Sequence, residues 1–375
     1  MFLPFQPDLP FFSFEPKPIG DEYYNSREMD DTMIEYIPLG DYQGPESLTI
    51  SKKNGNIYFP LKSGEIKYIE PPFPIYNRVD FFGNSTHSSK VDIKTMNQNV
   101  KHLVTCGRAL GVEMDADDNL IIADSVKGLL KYDFERQELI ILTSTFNGTK
   151  LSFVNDLTIA KDGMIYFSDT SNIAPIRESN GDWNTLTPSL FICASSSGFG
   201  KLLSYNPKTR ETNLLMTGIR YSNGVCLDPK EESIFVAETG AYRILRYWLK
   251  GPNAGKHEVF IDNLPGNPDG IDLDSKGRLV ISIYATRSKF LDTIHPYPWL
   301  KRIFLRIPYI KVPMSPPALV ISDTKNGRIL EYYTISSRSL PMKSISSTLD
   351  NKGKIYLGNL YNNFISIFSP PTQKK

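Results

Sequence analysis

A two-strand phrase returns six times along the chain, and few folds accommodate such a repeat. Four of the six copies open on an acidic or amide residue. Alternating apolar residues follow, then a polar turn, then a β-branched or aromatic strand. The copies are Glu46-Ser-Leu-Thr-Ile with Asn56-Ile-Tyr-Phe, Leu110-Gly-Val-Glu-Met with Asn119-Leu-Ile-Ile, and Asn155-Asp-Leu-Thr-Ile with Met164-Ile-Tyr-Phe. Three more are Asn223-Gly-Val-Cys-Leu with Ser233-Ile-Phe-Val, Asp269-Gly-Ile-Asp-Leu with Arg278-Leu-Val-Ile, and Ile345-Ser-Ser-Thr-Leu with Lys354-Ile-Tyr-Leu. Period-two alternation closed by a turn residue specifies a hairpin, not a helix.

Most copies are followed by a third strand, as in Gly64-Glu-Ile-Lys-Tyr-Ile and Gly128-Leu-Leu-Lys-Tyr-Asp, and then a fourth such as Glu138-Leu-Ile-Ile-Leu. Four antiparallel strands per unit make a propeller blade, and a blade buries both faces only when its neighbours close a ring. The expected fold is all-β, a six-bladed β-propeller with four-stranded antiparallel blades. A single propeller is expected over residues 35–375, preceded by an N-terminal extension over 1–34. Insertions rich in Pro, Ser, Asn and Gly fall around 171–198 and 284–317. The second carries Trp299-Leu-Lys-Arg-Ile-Phe-Leu-Arg, a basic and apolar stretch. It suits a lid packed over the propeller face, or peripheral contact with a membrane surface.

The residue that opens each copy reads Glu46, Leu110, Asn155, Asn223, Asp269 and Ile345. Innermost strands of a propeller start around one axis, so these positions converge. Buried carboxylates brought together repel, and buried amide oxygens lack donors. A hard cation resolves both conflicts, and two carboxylates with two amide oxygens suit calcium better than zinc. The expected metal ligands are Glu46, Asn155, Asn223 and Asp269, against the plainer alternative that Asn and Asp simply initiate turns. Asp156, next to Asn155, and Asp124, at the end of Leu120-Ile-Ile-Ala-Asp, are further tunnel candidates. Ser168 with Asp169, and Glu238, hold positions corresponding to Asp124.

Other chemistries are excluded or left without a motif. The net charge is +1 with both signs scattered, so no basic stripe for nucleic acid exists. Cys106, Cys193 and Cys226 match no zinc spacing and no disulfide framework. His87, His102, His257 and His295 share no repeat register; His87 and His295 fall in loops near the tunnel mouth. No Gly-rich phosphate loop and no Gly-x-Ser-x-Gly elbow is present. The start Met1–Pro10 is apolar but broken by proline and without a basic region, unlike a signal peptide. The sequons at Asn84 and Asn147 pull toward the secretory route, so the compartment stays open.

Gly44-Pro-Glu-Ser, Phe153-Val-Asn-Asp-Leu-Thr, Ser222-Asn-Gly-Val, Val236-Ala-Glu-Thr and Leu264-Pro-Gly-Asn-Pro-Asp resemble the strictosidine synthase-like proteins. Pro298-Trp-Leu-Lys-Arg-Ile-Phe and Ile355-Tyr-Leu-Gly-Asn-Leu point to their animal, hemomucin-type branch, over roughly residues 35 to 370. The wider superfamily holds gluconolactonases, paraoxonases and diisopropyl fluorophosphatase, calcium-dependent six-bladed propellers. The resemblance implies their Glu, Asn, Asn, Asp metal set at Glu46, Asn155, Asn223 and Asp269, the same four reached from phase. The catalytic glutamate of plant strictosidine synthase falls within Lys343-Ser-Ile-Ser-Ser-Thr, which has no carboxylate. Condensation of an amine with an aldehyde loses its proton shuttle there. The membrane anchor that the animal proteins carry is not matched, nor is the paraoxonase histidine pair.

The expected activity is calcium-dependent hydrolysis of a small-molecule ester or lactone. Asp269 would act as base or nucleophile, with Asp156 or Asp124 assisting. The competing expectation is a non-catalytic recognition propeller with a structural calcium, since fold alone does not choose between them.

Overall fold

The computed structural model describes residues 10–23, 25–83, 88–306, 315–335 and 340–371. The sequon at Asn84 and the residue His87 lie outside the described residues. Each sequence repeat folds as the inner half of a blade. The first blade is Thr49–Ile50, Ile57–Pro60, Glu65–Ile69 and Lys101–Thr105. The second is Ala109–Met114, Leu120–Asp124, Gly128–Asp133 and Glu138–Thr143. Val154–Ile159, Ile165–Asp169, Gly200–Asn206 and Glu211–Ile219 make the third. Ser222–Leu227, Ser233–Glu238, Arg243–Trp248 and His257–Ile261 make the fourth. The fifth is Gly266–Leu273, Leu279–Thr286, Ala318–Ser322 and Ile329–Thr334.

The sixth blade closes the ring with both ends of the chain. Ser347–Asn351, Lys354–Gly358 and Phe364–Phe368 are its inner strands, and Ile34–Pro38 is the outermost, antiparallel to Phe364–Phe368 from Ile34 opposite Phe368 to Pro38 opposite Phe364. Residues before 35 are joined to the propeller. Arg27–Glu28 add a short parallel strand outside the fifth blade.

Period-two alternation explains why every blade needs two neighbours. In the first blade Ile57 and Phe59 face the sixth, while Tyr58 between them faces the second. In the second blade Leu120 and Ile122 pack on the first, and Ile121 and Ala123 on the third. In the fourth, Ile234 and Val236 face back, and Phe235 and Ala237 face forward. Six apolar clusters each straddle one pair of adjacent blades. Burial of apolar area on both faces, at about 25 cal/mol per Å², therefore holds the ring as one unit.

At the axis the inner strands touch through their backbones. Gly224 follows Asn223, and a Cβ there would stand 2.7 Å from the Ile271 nitrogen of the fifth blade. Gly270 follows Asp269, and a Cβ there would stand 2.5 Å from the Ser346 oxygen of the sixth. The Gly270 N–H donates to that same oxygen at 2.7 Å.

The two long insertions hold helices. Leu186–Ser195 rises from the third blade, and Lys289–Ile294 and Pro298–Arg306 from the fifth. Leu110, Phe153 and Tyr221 of the ring pack with Phe191, Ile192 and Leu305 of the helices. The 284–317 stretch is thus a lid as far as it is described, with Trp299 and Ile303 exposed on its outer side. The extension ties the lid down: the Phe12 N–H donates to Ser195 O at 2.8 Å, and the Phe14 N–H to His295 O at 3.2 Å. Among the described residues no helix is long and apolar enough to cross a membrane.

Gly224→Ala places a methyl group against backbone that has no room to retreat. It is expected to destabilise the fold by about 1–3 kcal/mol, read by chemical denaturation.

Candidate functional site

Five of the six repeat-opening residues, four of them bearing side-chain oxygens, meet where the tunnel narrows. Glu46, Leu110, Asn155, Asn223 and Asp269 line this throat together with Ser346 and Ser347. The sixth position differs from the sequence reading: Ile345 is buried among apolar residues, and Ser346 takes its place at the axis, donating through Oγ to Glu46 O at 2.7 Å. Glu46, Asn155, Asn223 and Asp269 also form the floor of a chamber roofed by the lid.

Both amides are held by the same device. Asn155 Nδ2 donates to Thr170 Oγ1 at 3.1 Å, and Asn223 Nδ2 donates to Thr239 Oγ1 at 3.1 Å. Each threonine in turn donates to a carbonyl of the next blade, Thr170 to Ser222 O at 2.7 Å and Thr239 to Pro268 O at 2.6 Å. With their N–H groups engaged this way, the amides keep their oxygens available as acceptors. Asn223 Nδ2 also donates to Asp269 Oδ1 at 2.6 Å.

The two carboxylates are in electrostatic conflict. Burial, then the nearby Glu46 charge, pushes Asp269 well above the usual carboxylate range. Burial also raises Glu46, although the fully buried Arg108 guanidinium pairs with it and opposes that shift. Arg108 was not singled out from sequence; it is anchored by Leu61 O at 3.2 Å and Ala109 O at 2.7 Å.

The quartet fits a hard divalent cation. It offers two carboxylates that repel each other and two amides turned by their threonines. Among the described residues no group of three or more His, Cys, Asp or Glu side chains could hold a metal, so the amides are indispensable to any such site.

The remaining candidates separate. Asp156 lines the throat with the quartet and also faces the outer tunnel, beside Glu113 and Asp272. Its Oδ2 accepts from the Val225 N–H at 3.0 Å, and burial pushes it up to about 7. Asp124 is a correction of placement. It is fully buried and accepts from the N–H groups of Gly107, Val126 and Lys127 at 2.7, 2.9 and 2.8 Å, so it fastens a turn and does not line the chamber. Asp169 and Glu238 repeat this role, accepting from Phe153 N–H at 2.9 Å and Arg220 N–H at 2.8 Å. A signal for the threonines existed: each latch acid is followed by a hydroxyl, as Asp124-Ser125, Asp169-Thr170 and Glu238-Thr239.

The chamber walls are mostly apolar, with Leu110, Phe153, Leu186, Leu190, Leu305 and Leu360 among them. Tyr284 closes one side, its hydroxyl 2.6 Å from that of Tyr361. Cys193 lines the chamber as a free thiol, and Cys106 and Cys226 are free and buried. His102 sits beside Glu65 on the first blade at 3.3 Å, and His257 is exposed on an outer strand. His295 alone of the described histidines reaches the chamber, with Nε2 3.3 Å from the Tyr242 hydroxyl.

A six-bladed ring with an acid–amide quartet beneath a lidded chamber places the protein among the lactonase-like propellers. The chain belongs to the SMP-30/gluconolactonase/LRE-like family, in its strictosidine synthase-like branch: the first region matches residues 79–291 and the strictosidine synthase-like N-terminal region matches residues 32–69. Protein STRICTOSIDINE SYNTHASE-LIKE 3 of Arabidopsis thaliana is 28% identical over 344 residues, 89% of this chain and 84% of that protein. Adipocyte plasma membrane-associated protein of Gallus gallus is 32% identical over 272 residues, 70% of this chain and 63% of that protein, so the match spans just under two thirds of that relative's length. A gluconolactonase from Xanthomonas campestris superposes with a TM-score of 0.61 at 14% identity, covering 99% of this chain and 100% of that one. Regucalcin, a calcium-binding protein from Agrobacterium tumefaciens, gives 0.55 at 13% identity over 96% and 95%. Likenesses at such low identity speak for the fold alone.

Burial, then Lys301 and Arg287, lowers the His295 pKa to about 4. An unfolded histidine binds its proton near 6.5, so stability from this group is present above that pH and is lost as pH falls toward 4. His295→Gln is expected to remove up to ~3 kcal/mol of acid destabilisation over that window, read as a flatter stability profile between pH 6.5 and 4.

Proposed function

We propose that the protein is a calcium-dependent hydrolase of esters or lactones whose substrates are largely apolar. The observation that carries this reading is the convergence of Glu46, Asn155, Asn223 and Asp269 at the floor of an apolar chamber. Calcium, when bound by those four side chains, supplies the electrophilic pole that a carbonyl oxygen needs as it gains charge.

The chain's own groups supply the rest. Asp269 is the carboxylate of the quartet best placed to act as base, because Glu46 is already paired with Arg108. Its Oδ1 is engaged by Asn223 Nδ2, which fixes the carboxylate and leaves Oδ2 for the proton. Asp156, which lines the throat toward the outer tunnel, would serve as a second proton holder near neutrality. Asp124 has no such role, because its oxygens are occupied by backbone.

Leu110, Phe153, Leu305 and Leu360 exclude water and offer no partners to a polyhydroxy ring. A sugar lactone would lose its hydrogen bonds to water without replacement. An alkyl or aryl body would gain by burial.

Turnover of aryl esters and alkyl lactones is expected to fall about a hundredfold in chelator and return with added calcium, and Asp269→Ala is expected to abolish it. Activity indifferent to both would refute the mechanism. If calcium raises the melting temperature and no compound turns over, the propeller is a binding module.

A further inference from the structure

The chamber has a second polar end, on the lid. Lys301, on the helix Pro298–Arg306, lines the chamber and is 2% exposed. Its Nζ donates to Phe12 O at 2.7 Å and to Ser196 Oγ at 3.0 Å. Both acceptors are neutral. Among the described residues no carboxylate lies within ion-pair distance of this ammonium. Its charged neighbour is another cation, Arg220, whose guanidinium lies over the Phe14 ring with 5.5 Å to the centroid. His295 is close by and buried, and its Nδ1 has no hydrogen-bond partner. Arg287 is already neutralised by Asp292 at 2.9 Å.

A buried ammonium without a counter-ion is costly, and a buried ring nitrogen without a partner adds to the cost. Proteins keep such groups where something else completes them. Burial and Arg220 lower the Lys301 pKa only to about 8, so the group is still charged at pH 7. The carboxylates of the axial quartet lie at the floor, and the lid end carries positive charge at Lys301 with no carboxylate beside it among the described residues. Apolar walls lie between them.

We propose that the lid end is an anion subsite, so that the chamber selects amphipathic ligands: an apolar chain bearing a carboxylate or phosphate head held by Lys301 and His295. The assignment rests on the reading of the chamber as the substrate site and adds which substrates it takes. The reactive carbonyl sits over the quartet while the charged head reaches the lid.

The test is calorimetric titration of the full chain with dodecanoate, dodecyl phosphate and dodecan-1-ol at pH 7 in EDTA, so that no metal can attract the head. At least one anion is expected to bind about tenfold more tightly than the alcohol, and the two anions distinguish carboxylate from phosphate recognition. Lys301→Met is expected to cancel that preference and leave the alcohol within twofold, and Lys301→Arg to retain it. Lys301 also tethers Phe12, so a misfolded Lys301→Met is replaced by Arg220→Gln, expected to cut anion binding about threefold. Equal affinities for anion and alcohol, or a uniform loss for all probes in the variants, would overturn the subsite and leave the hydrolase reading intact. Anion binding that requires added calcium would place the head on the quartet, with the same consequence. If no probe binds, the chamber itself is not a ligand site, and both readings fall.

Discussion

Backbone contact between neighbouring inner strands governs the geometry of the axis. Where Gly224 meets Ile271 and Gly270 meets Ser346, no side chain intervenes. Adjacent blades can then approach until the residues that precede those glycines, Asn223 and Asp269, share one narrow space. The contact also explains the low tolerance of this region: close-packed backbone has no rotamer to change. Apolar burial between blades supplies most of the stabilisation, but it would tolerate a wider ring. The glycines set the diameter.

A narrow axis brings electrostatic trouble, and the chain contains it with separate devices. Arg108 offsets one carboxylate from outside the throat. Thr170 and Thr239 orient two amides and stitch each blade to the next with the same hydroxyl. What stays unresolved is Asp269, held near Glu46 in a buried site. Two like charges so placed raise the affinity for any positive species, a proton or a cation, and that is the physical basis for a site of this kind.

Much of this was legible in the sequence because a ring converts linear phase into spatial coincidence. The six inner strands, the insertions and the meeting of Glu46, Asn155, Asn223 and Asp269 follow from register alone. Register is good to a residue, however, and Ser346 stands where Ile345 was expected. It is also blind to direction. Asp124 ends a strand as a tunnel residue would, yet its carboxylate turns back to the Gly107, Val126 and Lys127 amides. Arg108 gave no signal because its partner Glu46 belongs to another blade. Lys301 read as part of a basic surface stretch, and only the fold of residues 10–20 across the lid buries it against Phe12.

The sixth blade joins Ile34–Pro38 to Phe364–Phe368. Its four strands cannot assemble until the last of them has left the ribosome, so five blades must wait with an apolar flank open while the chain is made. Contacts of such long sequence separation are slow to form, and an exposed blade edge in that interval invites pairing with another chain. Expression yield should therefore be governed by how fast these two distant strands find each other, and changes confined to residues 34–38 would be felt first in the soluble fraction obtained, before any assay of the finished molecule.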